Sequence, residues 1–108
     1  MPPPAEMDGR VAEKVFGHRV SQDNSRILSP KDVGRYWKKL PAYSTDHAAM
    51  MMVIEKMRER KYNWLIANSA GLWSVNVIDN GRPISHGYDA SLPLAVCRAA
   101  LAALEAVK

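Results

Sequence analysis

Cysteine is almost absent from this 108-residue sequence, in which Cys97 is the only one. One cysteine excludes a disulfide framework within a single chain and favours a reducing compartment, so we expect the protein in the cytoplasm. Long apolar runs are also missing, since no stretch reaches the roughly 18 to 20 uncharged apolar residues that a membrane span requires. The first ten residues, MPPPAEMDGR, place prolines where a secretory signal would have its apolar segment. We therefore expect no contact with membranes.

Charge of one sign is only slightly in excess. The chain has 15 lysines and arginines against 11 acidic residues, which gives a formal net charge of +4. Such an excess permits an anionic partner but does not require one. The length suits one domain with one hydrophobic core. We predict a flexible N-terminal tail over residues 1–7 and a single α/β domain over residues 8–108.

Groups for catalysis or metal binding are few and scattered. The sequence has no glycine-rich phosphate loop, no cluster of carboxylates, and three histidines, His18, His47 and His86, that lie far apart. This spacing is not that of a zinc site. Cys97 falls on the apolar stripe of a predicted helix, where a thiol is usually an inert small hydrophobe. We predict that the protein is not an enzyme and uses no cofactor or metal. A nucleophilic Cys97 paired with His47 or His86 is the enzymatic alternative.

Three segments show the apolar spacing of amphipathic helices. A short helix is predicted to begin at Asp8, as its N-cap, and to end before Gly17. Two longer helices are predicted over residues 45–60 and from about residue 91 to the end of the chain. The methionine run at residues 50–52 is interpreted as core packing, because methionine fills irregular gaps. The predicted core-facing residues are Val11, Val15, Phe16, Met50, Val53, Ile54, Met57, Leu94, Cys97, Ala100, Leu101, Leu104 and Val107.

The segment between the two longer helices predicts a three-stranded meander. YNWLIAN, residues 62–68, is apolar on both alternating sets, which is typical of an inner strand with both faces covered. LWSVNVI, residues 72–78, alternates between a dry face and a wet one. Asn80 and Gly81 predict a type I′ hairpin. Pro83 favours an edge position for the returning strand.

The remaining segments predict short elements. Residues 18–20 and 26–28 are predicted strands on either side of the turn SQDNS. Residues 29–41 are predicted to form a turn or two of helix, because Pro30 can occupy a first helical position. Together the elements predict an α+β fold, a three-layer α/β/α sandwich. Its parts are a mostly antiparallel sheet, two long helices and a short N-terminal helix.

The stretch YSTDH, residues 43–47, is the strongest candidate for a catalytic site, because it contains a serine, an aspartate and a histidine. Neighbouring residues of a helix point about 100° apart, so Ser44, Asp46 and His47 cannot line up as nucleophile, orienting acid and base. We interpret the stretch as a helix start, in which a hydroxyl of Ser44 or Thr45 accepts a backbone N–H and Tyr43 forms a hydrophobic staple. The acidic residue complements the helix dipole. The predicted structural caps at the two helix starts are Tyr43, Ser44, Thr45, Asp46, Asp89 and Ser91.

The segment RYWKK alternates cations with aromatic residues. A nucleic-acid base can stack on Tyr36 or Trp37, while Lys38 and Lys39 neutralise phosphates. We therefore take Arg35, Tyr36, Trp37, Lys38 and Lys39 as the candidate binding residues. The alternative stays open that Tyr36 and Trp37 anchor a loop to the core and the lysines form its solvated edge.

Three stretches together carry a family resemblance: VAEKVFG near the start, LPAYSTDHAAMMMVIEKM, and, after a tryptophan-containing β region, SLPLAVCRAALAAL. They resemble the phage ABA sandwich domain family, small proteins of phages and prophages. The resemblance covers most of residues 11–107, with no match over residues 22–39. It implies an α/β/α fold and a phage or prophage origin, and thus the cytoplasm of a bacterial host. It supplies no catalytic residues.

Two further functions remain open beside the enzymatic one. The first is a non-catalytic phage or prophage accessory protein that is a binding module for a host or phage protein and associates with itself. The second is a nucleic-acid or nucleotide-binding protein that sequesters its ligand through residues 35–39. We predict the first, because the sequence has no phosphate loop, carboxylate cluster or metal-ligand spacing. Its expected contact residues are Arg35, Tyr36, Trp37 and Lys38, since exposed aromatic and arginine side chains make strong protein contacts.

Overall fold

A computed structural model of the protein describes residues 4–28 and 37–106. Its strands form two antiparallel sheets, a small sheet in the order β1-β2-β3 and a main sheet in the order β4-β5-β6. The predicted α+β class is therefore confirmed. The helices are α1 (Pro4–Lys14), α2 (His47–Glu59) and α3 (Leu92–Ala106). The strands are β1 (Arg19–Val20), β2 (Arg26–Leu28), β3 (Lys38–Lys39), β4 (Asn63–Ser69), β5 (Leu72–Asp79) and β6 (Arg82–Asp89).

Two tight hairpins build the main sheet. Asn80 and Gly81 have φ values of 56° and 79°, the left-handed conformation that a type I′ turn requires at both central positions. The hairpin predicted from Asn-Gly is confirmed. Ala70 and Gly71 repeat this geometry between β4 and β5, with φ values of 54° and 81°. Because each turn contains only two residues, each strand pairs with the next one, and the middle strand of the sequence becomes the middle strand of the sheet.

The prediction that residues 62–68 form an inner strand is wrong for the single chain. β4 lies at an edge of the main sheet, and β5 takes the central place. Leu65 and Ile66 of β4 are exposed to solvent. The alternation predicted for β5 is confirmed, since Val75 and Val77 are fully buried and Asn76 between them is partly exposed. Within the described residues, burial therefore does not explain the apolar composition of β4.

Helix α3 covers one face of the main sheet, called here the closed face. A Cβ at Gly87 would overlap the carbonyl oxygen of Ala95 and lie 2.9 Å from the backbone nitrogen of Ala99. Nearby, the hydroxyl of Ser85 donates to the carbonyl oxygen of Ala99 at 2.7 Å. The small side chains of α3 permit this approach, and most of its surface is apolar because α1 and α2 pack against it from other sides.

Helix α2 has the buried stripe that its sequence predicts. Met50, Val53, Ile54 and Met57 are all buried. The interpretation of residues 50–52 as core packing is right only for Met50, because Met51 and Met52 are about half exposed. Consecutive helical residues point about 100° apart, so three in a row cannot share one stripe. The indole N–H of Trp64 donates to the carbonyl of Ile54 at 3.3 Å and ties α2 to β4.

Helix α1 begins earlier than predicted. It starts at Pro4, and Met7 is buried, so the predicted tail over residues 1–7 is wrong for residues 4–7. Asp8 is not an N-cap. Its buried carboxylate instead accepts the backbone N–H of Ser44 at 2.8 Å and so holds the segment that precedes α2. The end of the helix agrees with the prediction, because Gly17 has a φ of 72°.

The small sheet was predicted only in part. β1 and β2 pair across the turn SQDNS as expected, with Val20 opposite Ile27. The helical prediction for residues 29–41 is wrong at Lys38 and Lys39, which form β3 and pair with β2; residues 29–36 lie outside the described residues. Pairing with β2 supplies the backbone hydrogen bonds of these two residues. Lysine is uncommon in strands, so composition did not predict a strand here.

Candidate functional site

The YSTDH stretch is a helix start in the structure. The carboxylate of Asp46, the N-cap of α2, accepts the backbone N–H of Ala49 at 2.9 Å. Capping by Ser44 or Thr45 was predicted and is wrong, since Asp46 is the N-cap and both hydroxyl residues precede it. Ser44 is buried, and its backbone N–H donates to Asp8. The Asp46 carboxylate of this segment therefore satisfies a free backbone N–H at the helix start, as a cap does.

A second polar helix start precedes α3. The carboxylate of Asp89 accepts the backbone N–H of Ser91 at 2.8 Å and an arginine N–H of Arg98 at 3.2 Å. The carbonyl of Ser91 accepts the N–H of Ala95 at 3.1 Å. Arg98 also donates to the carbonyl of Tyr88 at 3.0 Å. Asp89 is thus held from two sides and joins the end of β6 to α3.

Cys97 lies in a sealed cluster with Tyr43 and Asp8. Burial raises the pKa of the Cys97 thiol to about 12, and the negative charge of Asp8 adds to the increase. Burial likewise raises the pKa of Tyr43 to about 12, with further contributions from Asp8 and Cys97. The Tyr43 ring stacks on Phe16 with centroids 5.1 Å apart. The Cys97 thiol and the Tyr43 hydroxyl are therefore protonated at neutral pH, and the thiolate that nucleophilic catalysis requires is not formed.

The histidines do not meet. His47 lies exposed at the start of α2, and His18 follows α1. His86 is exposed on β6, where its Nδ1–H donates to Oδ1 of Asn76 and its ring stacks near Tyr88. Within residues 4–28 and 37–106, no three His, Cys, Asp or Glu side chains are grouped in a way that could hold a metal ion.

The predicted binding residues lie at the small sheet. Arg35 and Tyr36 fall outside the described residues. Trp37 is 44% exposed and lines a cavity of about 580 Å³ beside the β1–β2 turn. Lys38 and Lys39 are exposed on β3. The indole of Trp37 therefore reaches solvent, which the alternative of an anchoring residue packed fully into the core does not predict.

Strand register adds two arginines to this segment. Arg26 pairs directly with Lys39, so the two cations lie on the same face of the small sheet. Arg19 pairs with Leu28, which is two residues from Arg26 and hence on that same face. Like charges directly opposite each other destabilise a sheet unless something neutralises them. We call Arg19, Arg26, Trp37 and Lys39 the basic-aromatic surface.

Sequence reasoning missed Arg19 and Arg26. Their only signal is their position on the two flanks of the turn SQDNS, which becomes informative once the pairing with β3 is known.

The turn beside the basic-aromatic surface carries one negative charge. The carboxylate of Asp23 accepts the hydroxyl hydrogens of Ser21 and Ser25, each at 2.7 Å. Hydrogen bonds from Ser21, and then from Ser25, hold the pKa of Asp23 below its ordinary value. Asp23 is therefore ionised at neutral pH and offsets part of the positive potential.

The face of the main sheet opposite α3, called here the open face, exposes large apolar side chains. Leu65, Leu72 and Tyr88 are 58%, 48% and 52% exposed. Register places Leu65 beside Asn76 and His86, and Tyr88 beside Ser74 and Ala67. None of these residues is Lys, Arg, Asp or Glu. Depletion of charge together with exposed aromatic and aliphatic side chains is typical of the centre of a protein interface. By register, the open face includes Leu65, Ala67, Ser69, Leu72, Ser74, Asn76, His86 and Tyr88.

Comparison with known proteins gives the family. A family model described as the phage ABA sandwich domain matches residues 10–101. The structure is similar to the crystal structure of a phage protein from Bacillus cereus, with a TM-score of 0.79 and 24% sequence identity over 95% of this chain and 93% of that one. At this identity the likeness shows a shared fold. No curated protein matches the chain.

The family's description fits the fold. Three helices and two three-stranded antiparallel sheets make up the described residues. No described helix is long and apolar enough to cross a membrane. Because the family match spans most of the chain, the protein belongs to the phage ABA sandwich domain family.

Proposed function

We propose that the protein is a non-catalytic phage accessory protein that acts in the cytoplasm of the bacterial host by binding another protein, of phage or host. The observation that carries the proposal is the uncharged open face of the main sheet. Leu65, Leu72 and Tyr88 leave large apolar surfaces in water there. Contiguous exposed apolar patches on small proteins are commonly interaction sites.

The chemistry of the buried groups supports the non-catalytic part of the proposal. The one cysteine is a buried residue of α3, and burial and Asp8 raise its pKa to about 12. Catalytic cysteines are partly exposed and have lowered pKa values. In the YSTDH stretch, the Asp46 carboxylate caps α2 and the backbone N–H of Ser44 holds the loop before α2.

The test is to compare two lysine substitutions in exposed positions. Tagged protein is expressed in host cells during phage infection, and retained proteins are identified by mass spectrometry. Tyr88→Lys places a charge on the open face, whereas Thr45→Lys places one at an exposed residue before α2 that has no part in the open face. A specific partner should bind the wild type and the Thr45→Lys control and be lost with Tyr88→Lys, and then be confirmed with the two purified proteins. Binding that Tyr88→Lys leaves unchanged would contradict the proposal.

A second function, binding of a nucleotide or single-stranded nucleic acid, has its own supporting observation. Arg26 and Lys39 lie directly opposite each other, with Arg19 on the same face. An anionic phosphate between these cations would relieve their repulsion. Trp37 lines the cavity beside Arg19 and offers a surface on which a base can stack.

Tryptophan fluorescence tests this second function. Mixed oligonucleotides and cyclic nucleotides are titrated at low and high salt. Quenching should weaken with salt and disappear in Arg26→Gln, but persist in Arg82→Gln, an exposed arginine at the β5–β6 turn. Trp37→Phe assigns the signal, because Trp64 and Trp73 also fluoresce. Absence of salt-dependent quenching would remove this function.

A further inference from the structure

The two edges of the main sheet differ in how they are protected. An edge strand presents unpaired backbone N–H and C=O groups, which proteins commonly protect with proline, charges or bulges. β6 has such features: Pro83 lacks an N–H, the register shifts opposite Val77 and Ile78, and Arg82 and Asp89 stand at its ends. β6 is therefore a poor template for another strand.

β4 has none of these protections. Its sequence, NWLIANS, contains no proline, glycine or charged residue. It pairs with β5 in unbroken register from Asn63 opposite Ile78 to Ser69 opposite Leu72. In the part of the chain that the structure describes, no strand pairs with its outer edge. A regular, uncharged edge seven residues long is what a further strand needs in order to add to the sheet.

The side chains of β4 are exposed on both faces of the sheet. Leu65 belongs to the open face, while Ile66 points to the closed face and is still exposed. A composition of this kind belongs to a strand with neighbours on both sides. The conflict between the composition of β4 and its edge position disappears if another strand completes the sheet there.

We infer that β4 pairs antiparallel with β4 of a second copy of the chain, which joins the two main sheets into one. In a two-fold dimer, the same strand of both copies forms the interface, so β4 must be compatible with itself. Because β4 has no charged residue, its pairing brings no like charges together. With the axis at Ile66, the middle residue, Leu65 of each copy lies opposite the small Ala67 of the other. Trp64 likewise lies opposite Asn68.

The neighbouring helix fits the same arrangement. α2 packs beside β4 through the bond from Trp64 to Ile54. Met51 and Met52 on α2 are about half exposed. The two-fold axis lies between the two β4 strands and is perpendicular to the joined sheet. It therefore keeps the helices of both copies on one side of that sheet and brings the two α2 helices toward each other. Flexible methionine side chains suit such a contact because they adapt to irregular gaps.

The dimer also extends the surface of the proposed function, because the two open faces become continuous. This step deepens that function but has its own measurement, since association of the purified chain needs no other partner. The proposed function is tested by loss of the partner with Tyr88→Lys, and the dimer is tested by the mass of the purified chain. Either proposal can therefore be contradicted without the other.

Sedimentation and light scattering of the purified full chain test the inference. The wild type should have twice the chain mass of 12.0 kDa at micromolar concentrations. Leu65→Lys with Ala67→Lys should give monomers, because the two-fold axis brings lysines of both copies together. Leu65→Asp with Ala67→Asp should do the same for acids. Mixing the two double variants should restore a dimer, which also proves that both are folded.

A control distinguishes edge pairing from stacking of open faces. Ser74 lies on the open face directly opposite Ala67, but on the central strand. Ser74→Lys should leave the dimer intact if β4 forms the interface, and should abolish it if two open faces pack together. A monomeric wild type, a dimer that survives both double variants, variants that do not re-associate on mixing, or a dimer lost in Ser74→Lys would each overturn the inference.

Discussion

The two faces of the main sheet are built from the same strands but differ in burial and in how closely they are packed. On the closed face, Val75 and Val77 are fully buried, and Gly87 leaves no room for a Cβ below α3. On the open face, Leu72 and Tyr88 are about half exposed. The closed face stabilises the fold, whereas the open face is exposed to solvent in the part of the chain that the structure describes. Substitutions on the two faces should therefore separate stability from binding.

The largest effect is expected at Gly87. Gly87→Ala adds a Cβ that collides with backbone atoms of Ala95 and Ala99, which cannot rotate away as a side chain could. Helix α3 must move off the sheet, and we expect the free energy of unfolding to fall by about 3 kcal/mol. Urea unfolding followed by circular dichroism measures this, at one protein concentration, because the stability of a dimer depends on concentration. Ser74→Ala on the open face is the control. An unchanged midpoint for Gly87→Ala would contradict the close approach.

A smaller effect is expected from a pair of substitutions on the one strand β5. Val77→Ala removes buried methyl groups from the closed face and should lower the free energy of unfolding by about 2 kcal/mol, from lost burial and the cavity left behind. Leu72→Ala removes more carbon atoms but from the half-exposed open face, and should change it by no more than about 0.5 kcal/mol. Equal losses in the same unfolding experiment would show that the open face is covered in solution.

Ser85 provides the next test. Its hydroxyl donates to the carbonyl of Ala99 at 2.7 Å and is buried between β6 and α3. Ser85→Ala should cost about 1 kcal/mol, because the hydrogen bond is lost while the volume stays nearly the same. His86→Ala, one residue along and on the open face, should have little effect on unfolding. A neutral Ser85→Ala would mean that this bond adds nothing beyond packing.

Much of the fold could be predicted from the sequence. The alternation of β5, the Asn80-Gly81 turn and the apolar stripe of α2 are local patterns, and the structure follows them. The position of β4 could not be predicted in this way. Composition reports how far a strand is covered in its final assembly, and it does not say whether the covering strand comes from the same chain. The inference of a β4 interface uses this distinction.

Only part of the basic-aromatic surface could be predicted from the sequence. Trp37 and Lys39 could be proposed from their local alternation of cation and aromatic residue. Arg19 and Arg26 could not, because the register of strands only two or three residues long depends on contacts distant in sequence. The buried bond from Ser44 to Asp8 joins residues 36 positions apart, and no local pattern announces it.

The smallest response is expected from a thiol reagent. Cys97 lies in α3 above the closed face, and its raised pKa of about 12 follows from burial and from Asp8. Native protein should react with an aromatic disulfide only very slowly at neutral pH, and urea should make the reaction fast. Ser74→Cys in a Cys97→Ala background should react quickly without urea, because it lies on the partly exposed open face.

The same pKa shift gives a pH dependence. The thiol ionises in the unfolded chain near its ordinary pKa of 9.0 but stays protonated in the folded protein up to about 12. Between these values the unfolded state binds fewer protons, so the free energy of unfolding should fall as pH rises. Cys97→Ala should make this decrease shallower, although Tyr43 contributes a decrease of its own. Rapid labelling of native Cys97 would contradict its burial and bring back the hypothesis of a thiol nucleophile.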